Sequence, residues 1–186
     1  MKKLFLAAAL FVLGCNIAFA NTQVVIDTNR GSFVLELFDK EAPLTVANFL
    51  SYVDSGFYDG TIFHRVIPDF MIQGGGFTKE LSKKATRAPI KNEASEKLKN
   101  ERGTIAMART SAPNSATSQF FINVVDNASL DWRKWNVGYA VFGKVVQGME
   151  IVDGISTVPT GNTGMHRDVP VDAVQISKAY RVKTQK

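Results

Sequence analysis

The sequence predicts a mainly β domain, either a barrel or a sandwich, in which two helices act as plugs. Short segments with strand-like patterning recur through most of the chain after residue 20, and only two segments have helical spacing. Many short strands with few helices are typical of barrels and sandwiches. The chain contains no internal repeat and no low-complexity linker, so we expect residues 21–186 to form one domain with its own core.

The predicted strands begin close to the start of this domain. Residues 23–27 and 32–37 are expected to form two strands joined by a turn at residues 29–31. Six further strands are predicted at residues 62–66, 70–73, 103–107, 119–124, 139–146 and 171–182. The connection at residues 79–102 is long for a compact domain, which indicates a functional rim.

Two helices interrupt the strand pattern. The first is predicted to begin near Pro43, which suits a first helical turn, and to stop at Gly56. Its apolar residues recur at helical spacing, at Val46, Phe49, Leu50 and Val53. The second helix is predicted to be shorter, at residues 149–155.

The first twenty residues have the pattern of a signal peptide. Lys2 and Lys3 precede an apolar run at residues 4–13, and small residues at Ala18 and Ala20 form an A-x-A cleavage site. A run of about ten residues is too short to cross a bilayer roughly 30 Å thick, so we expect no stable membrane span. Cleavage after Ala20 would place the protein in the periplasm or outside the cell.

Cys15 offers an alternative to this cleavage. Residues 12–15 loosely resemble a lipoprotein processing site, at which Cys15 would be lipidated and become the mature N-terminus. Leu13 fits such a site poorly and the A-x-A site follows closely, so cleavage after Ala20 is favoured. The mature chain would then contain no cysteine, and hence no disulfide and no thiolate nucleophile.

The charge of the chain does not indicate a nucleic-acid partner. The net charge is +5, and removal of Lys2 and Lys3 leaves 20 basic and 17 acidic residues, a net charge of +3. Most of the excess lies in residues 79–102, where acidic residues are interleaved with basic ones. Mixed signs are typical of a solvated loop, so we expect no nucleic acid partner.

The common catalytic motifs are missing from the sequence. The only histidines are His64 and His166, and neither stands at metal-ligand spacing with another donor. The motifs of serine hydrolases, zinc proteases and P-loop nucleotide-binding proteins do not occur. The triple glycine at residues 74–76 lacks the spacing of a nucleotide site and indicates either a turn of the backbone or its close approach to another group. We therefore expect no metal and no cofactor.

Some predicted strands combine a large apolar residue and a hydrogen-bonding residue on one face. Side chains of a strand alternate, so residues two apart share a face. Three such pairs occur: Phe63 with Arg65, Met71 with Gln73, and Gln119 with Phe121. A face of this kind is too polar for a sealed core, where an unpaired donor costs roughly 1–3 kcal/mol. A partly open pocket is one explanation; ordinary core and surface positions are the other.

Four motifs in sequence order resemble those of cyclophilin-type peptidyl-prolyl isomerases. The longest, FHRVIPDFMIQGGGFT, occupies residues 63–78, and GTIAMA, SQFFI and VFGKV follow at residues 103–108, 118–122 and 141–145. The resemblance extends over about residues 24–182. It implies an eight-stranded, closed antiparallel β-barrel capped by two α-helices, and an enzyme that isomerises X-Pro bonds during the folding of exported proteins.

The resemblance also implies roles for individual residues. Arg65 matches the catalytic arginine and Gln73 a group that holds the peptide during catalysis. The remaining substrate-binding positions match Phe70, Met71, Ala108, Arg109, Gln119, Phe121, Leu130 and Tyr139. The expected partners are proline-containing peptides and unfolded exported proteins, and we expect the protein itself to be a monomer.

Two positions depart from the pattern of the best-known eukaryotic members. Ser129 stands where they carry a tryptophan, and Tyr139 where they carry a histidine. Loss of the indole removes a large rim contact, so we expect weak binding of cyclosporin-type macrocycles without loss of catalysis. Trp132 and Trp135 are candidates to replace the missing ring.

Two other functions use the same residues differently. A non-catalytic chaperone could bind proline-containing segments in the same pocket, and only Arg65 distinguishes it from an enzyme, because binding alone does not need the guanidinium. An interaction module on the cell surface would instead use the basic loop at residues 79–102.

Overall fold

The computed structural model describes residues 21–182, so the predicted signal peptide and Cys15 lie outside the described residues. Two helices are present in this range, α1 (Pro43–Asp54) and α2 (Met149–Ser156). The strands are β1 (Gln23–Thr28), β2 (Gly31–Leu37), β3 (Thr61–Ile67), β4 (Met71–Thr78), β5 (Thr104–Met107), β6 (Phe120–Asn123), β7 (Val141–Gln147), β8 (Thr160–Thr163), β9 (His166–Pro170) and β10 (Ile176–Arg181).

Eight of these strands form one antiparallel sheet that curls into a nearly closed barrel. Their order is β10-β1-β2-β7-β5-β6-β4-β3. Backbone hydrogen bonds join the start of the last strand to the start of the first and the residues just before them: the N–H of Gly60 donates to the carbonyl of Ile176, and the N–H of Phe63 to that of Val174, both at 2.9 Å. The eight-stranded antiparallel barrel is therefore confirmed, with a few bonds rather than a full ladder at the closing edge.

The helices fill the barrel as predicted. Phe49 of α1 lies among the aromatic rings of the interior, with ring centroids 5.3 Å from Tyr58, 5.7 Å from Phe120 and 5.1 Å from Phe142. Val152 and Ile155 of α2 are fully buried in the same cluster. Rings packed at these separations add to the stability that comes from burial of apolar area.

In the part of the chain that the structure describes, neither helix has both the length and the apolar character that crossing a membrane requires.

The triple glycine continues β4 beyond its predicted end at residue 73. At Gly75 the backbone has φ +79°, and a Cβ atom would lie 2.8 Å from the Phe120 ring and 2.9 Å from the Tyr58 ring. Only glycine combines this backbone angle with such close contact. The backbone at Gly75 therefore packs directly against aromatic rings of the core, in agreement with the predicted close approach.

The C-terminal strand is shorter than predicted. The pattern indicated one strand over residues 171–182, but β10 spans Ile176–Arg181 and Val171 is 71% exposed outside it. The hairpin of β8 and β9 was not predicted at all. All four residues of β8 are exposed, so they lack the alternation that identifies a strand.

The long loop at residues 79–102 is held to the barrel by Glu93. Its carboxylate accepts hydrogen bonds from the backbone N–H of Leu44 at 3.2 Å and of Thr45 at 2.7 Å, and from the Thr45 hydroxyl at 2.7 Å. These N–H groups belong to the first turn of α1, where an anion is favoured by the helix dipole. The loop thus caps a helix as well as bordering the candidate site.

Candidate functional site

The outer face of the barrel carries a second apolar cluster, separate from the interior. It consists of Met71, Ala106, Phe121 and Val141, all buried. Their neighbours in sequence, such as Ile72 and Phe120, point into the barrel instead. This outer cluster needs a cover, because apolar side chains on the outside of a barrel would otherwise face water.

A cavity of about 290 Å³ lies over the outer cluster. Nine of the ten predicted site residues line it: Arg65, Phe70, Met71, Gln73, Ala108, Arg109, Phe121, Leu130 and Tyr139. The tenth, Gln119, lines an adjoining depression of about 220 Å³ that shares Gln73, Ala108 and Arg109 with the first. The structure therefore brings all the predicted residues into one continuous region.

The apolar side of the cavity has a buried floor. Met71 is 2% exposed and Phe121 is 4% exposed. The Phe121 ring meets Tyr139 edge to face, with centroids 5.6 Å apart. Leu130 is attached to this wall through its carbonyl, which accepts a hydrogen bond from the N–H of Tyr139 at 3.0 Å. A floor of this kind accepts a small apolar ring without rearrangement.

Arg109 braces the far wall with its side chain. Its Nε donates to the carbonyl of Gly138 at 3.0 Å and one Nη to the carbonyl of Thr110 at 2.8 Å. The guanidinium also lies 4.5 Å from the centre of the Tyr139 ring, a cation–π contact. The Arg109 side chain is therefore engaged by backbone carbonyls, whereas the guanidinium of Arg65, which also lines the cavity, makes no such hydrogen bond within the described residues.

Arg65 reaches the cavity because β3 contains a bulge. The register of β3 on β4 shifts between Phe63 and Arg65, so Phe63 packs inside the barrel and Arg65 lines the outer cavity. The prediction that these two residues share a face is therefore wrong: a bulge adds one residue and reverses the alternation. The predicted shared faces of Met71 with Gln73 and of Gln119 with Phe121 are consistent with the regions they line.

Two glutamines form the polar side of the region. The Nε2 of Gln73 donates to the Oε1 of Gln119 at 3.0 Å, which leaves one carbonyl and one NH₂ group of the pair for other partners. Gly76 makes room for this arrangement, since a Cβ atom there would lie 2.5 Å from the Cγ of Gln119. The N–H of Ala108 donates to the carbonyl of Gln119 at 3.0 Å, so that N–H serves the sheet rather than a ligand.

The two tryptophans do not replace the ring missing at Ser129. Neither Trp132 nor Trp135 lines the cavity, and Trp135 is 82% exposed. Ser129 itself is exposed. At Ser129 the rim of the cavity therefore lacks the large side chain that a tryptophan would provide.

Several residues near the site had no clear signal in the sequence. The adjoining depression is also lined by Lys83, Thr86, Thr110, Ser115 and Thr117. Asp168 of β9 lies 3.8 Å from Arg65, between its Oδ2 and the Nε of the arginine. The glycine at the hairpin turn, Gly164, could have indicated the hairpin that carries Asp168, but not its position beside β3.

His64 is buried behind Arg65 and is not a catalytic candidate. Its ring is 4.6 Å from that of Phe77. Burial, with the nearby His166 as a smaller cause, lowers the pKa of His64 from 6.5 to about 4. It is therefore neutral near pH 7. No three His, Cys, Asp or Glu side chains gather as possible metal ligands within residues 21–182.

This buried histidine predicts a loss of stability in acid. In the unfolded chain the pKa of His64 returns to 6.5, so between that value and about 4 the unfolded state binds more protons. The stabilisation is present above pH 6.5 and is lost as the pH falls. Between pH 7 and about pH 4.5 the wild-type free energy of unfolding should decrease by about 2 kcal/mol more than that of His64→Gln. Urea titrations at several pH values measure this, and equal pH dependence of the two proteins would contradict it.

Comparison with known proteins points to one family. A family model described as cyclophilin type peptidyl-prolyl cis-trans isomerase/CLD matches residues 23–181. The chain is 60% identical over 159 residues to a peptidyl-prolyl cis-trans isomerase of Acinetobacter baylyi, covering 86% of this chain and 85% of that protein. It is 54% identical over 189 residues to peptidyl-prolyl cis-trans isomerase A of Dickeya dadantii, covering 98% and 100%.

A solved structure agrees with these relatives. The fold is similar to a crystal structure of a cyclophilin type peptidyl-prolyl cis-trans isomerase from Cryptosporidium parvum, determined in the presence of the dipeptide Ala-Pro. The TM-score is 0.73 with 31% sequence identity, and the match covers 87% of this chain and 99% of that chain.

Proposed function

Because the chain belongs to the cyclophilin-type peptidyl-prolyl cis-trans isomerase family, we propose that it performs this isomerisation in the cavity beside Arg65, on exported proteins. The chain is an enzyme of that class. One observation supports the location of the site: nine of the ten predicted residues surround a single cavity that has an apolar floor and includes the guanidinium of Arg65. A proline-peptide isomerisation assay on wild type and on Arg65→Ala tests it.

Isomerisation of a peptide bond requires no nucleophile or other reactive group from the protein. The peptide bond before proline is stiffened by resonance, with a rotation barrier of about 18–20 kcal/mol. When the bond twists, the nitrogen regains its lone pair and can accept a hydrogen bond that the planar amide scarcely accepts. An Arg65 Nη donating to that nitrogen stabilises the twisted state more than the ground state. This is why a permanently charged donor can accelerate the reaction without a nucleophile.

The remaining residues hold the two sides of the bond. The proline ring packs on Met71 and Phe121, and Gln73 with Gln119 binds the neighbouring peptide groups. With the proline fixed, the segment on the other side of the bond rotates. An acceleration of about 10⁵ requires roughly 7 kcal/mol of differential stabilisation, which a charged hydrogen bond, apolar burial and the two amides can share.

The substrates we propose are proline-containing segments of unfolded proteins. The cavity of about 290 Å³ matches a small ring with its adjoining peptide groups. The related Cryptosporidium protein was crystallised in the presence of Ala-Pro, the smallest substrate-like unit of this kind.

We propose the periplasm or the extracellular space as the place where the enzyme acts. The support is the pattern of residues 1–20, with Lys2 and Lys3 before an apolar run and the A-x-A site ending at Ala20. The first strand of the barrel, β1, starts at Gln23, three residues after that site.

Mass spectrometry of the mature protein tests this location. Protein recovered from a periplasmic fraction should begin at Asn21 and carry no lipid. Cys15→Ser should leave that N-terminus unchanged, because Cys15 would be removed with the leader. A mature chain that starts at a lipidated Cys15, or whose processing stops in Cys15→Ser, would support the lipoprotein alternative instead.

A further inference from the structure

We propose that Asp168, in the hairpin of β8 and β9, is a positioning residue that orients the Arg65 guanidinium toward the peptide bond. The inference rests on the proposed role of Arg65. It adds a residue outside the main sheet, on an element that no motif of the sequence indicated.

The geometry of the ion pair suits this role. The Oδ2 of Asp168 approaches the Nε of Arg65 at 3.8 Å, and the two side chains are 42% and 43% exposed. Nε lies on the stem side of the guanidinium. The two Nη groups, which point away from the stem, therefore remain available for the nitrogen of the substrate.

The looseness of the pair is also informative. The ion pair of Arg102 with Asp153 closes to 2.7 Å and uses both Nη groups of the arginine. Contact of that kind at Arg65 would occupy the donors that the substrate needs. A carboxylate at 3.8 Å instead directs the guanidinium without replacing the substrate. Among the ion pairs formed within residues 21–182, only this one involves a residue that lines the cavity.

Asp168 is held in place from several directions. The next residue, Val169, is 7% exposed and anchors β9 in the domain. His166, two residues earlier, packs edge to face on Phe77 of β4 at 5.0 Å. The backbone of Asp168 has φ 59°, a left-handed conformation that aspartate and asparagine tolerate better than most residues. The carboxylate is thus presented by a constrained backbone rather than by a mobile tip.

The substitution Asp168→Asn isolates the charge. Asparagine has nearly the same shape and accepts the same left-handed backbone, so the hairpin should keep its fold. A half-exposed ion pair contributes the equivalent of about two- to fivefold in an equilibrium. We therefore expect kcat to fall by about two- to fivefold. KM should change little, since the apolar floor is untouched.

A matched control separates this role from a general effect of charge. Asp153→Asn removes an aspartate that is equally exposed, at 42%, and also ion-paired, but remote from the cavity. Its kcat should equal that of wild type. In ¹⁵N relaxation experiments, the order parameter of the Arg65 Nε–Hε group should fall in Asp168→Asn and stay constant in Asp153→Asn, a change that loss of a contact elsewhere in the domain would not produce.

Arg65→Ala, assayed in parallel, separates a failure of the proposed role of Arg65 from a failure of the proposed role of Asp168. If Arg65→Ala keeps full turnover, the proposed function of Arg65 fails. If Arg65→Ala loses turnover but Asp168→Asn retains or exceeds wild-type kcat with an unchanged Arg65 order parameter, the positioning role of Asp168 fails. Loss of kcat together with increased mobility of Arg65 supports both.

Discussion

Replacement of Arg65 by alanine is expected to lower kcat for a proline peptide by about 100- to 1,000-fold, the usual effect of removing one donor that acts in the transition state. KM should change much less, because the apolar floor that binds the proline ring remains. Arg65→Lys should restore little, since the ammonium group lacks the planar set of donors. A protease-coupled or NMR exchange assay measures both constants.

The fold should survive this change. The Arg65 side chain is 43% exposed and belongs to neither apolar cluster. Arg181→Ala is a suitable control, because Arg181 is 44% exposed and ion-paired to Asp54 but does not line the cavity. Arg181→Ala should have a slightly lower free energy of unfolding than wild type and an unchanged kcat. Equal activity of wild type and Arg65→Ala would contradict the mechanism.

Phe121→Ala is expected to raise KM by at least about tenfold and to lower the free energy of unfolding by about 3 kcal/mol. Phe121 is 4% exposed, meets the Tyr139 ring at 5.6 Å and packs within the outer cluster. Its removal leaves a hole in the floor on which the proline ring rests. Steady-state kinetics and urea unfolding measure the two effects.

Ile155→Ala provides the control for stability. Ile155 is fully buried in α2, so its truncation should cost about 2–5 kcal/mol as well, but it does not touch the cavity. KM should then remain that of wild type. A similar rise of KM in both variants would show that Phe121 acts through stability alone.

Arg65→Ala and Phe121→Ala together test the alternative of a non-catalytic chaperone. If the protein is an enzyme, Arg65→Ala should keep peptide binding and lose turnover, whereas Phe121→Ala should weaken both. If client proteins depended on binding alone, Arg65→Ala would still assist their folding. Refolding yields of a proline-limited substrate with each variant distinguish these outcomes.

Much of the fold could be predicted because each element carries its own local signal. Strand alternation identified the barrel strands, and helical spacing with Pro43 and Gly56 identified α1. The β8–β9 hairpin had no such signal, since the residues of β8 are all exposed. Its position beside β3 depends on Val169 and the His166–Phe77 contact, which join distant parts of the chain.

The stretch at residues 63–78 also contains features of the site that could be predicted from the sequence and one that could not. Its motif is the longest of the four that resemble the family, and it contains four of the ten predicted site residues, Arg65, Phe70, Met71 and Gln73. It did not determine which way each side chain points, because the bulge between Phe63 and Arg65 reverses the alternation on which that prediction relied.

The sequence by itself determined what this protein is, since a barrel pattern and four ordered motifs are local properties of the chain. Only the tertiary structure decided how the site is built. Arg65 forms an ion pair with Asp168, about a hundred residues later, and the side chain of Arg109 donates to the carbonyl of Gly138, 29 residues later, as well as to that of the adjacent Thr110. The physical reason is that ion pairs and hydrogen bonds act over a few ångströms in space, and no periodicity along a chain records which distant groups will meet at that range.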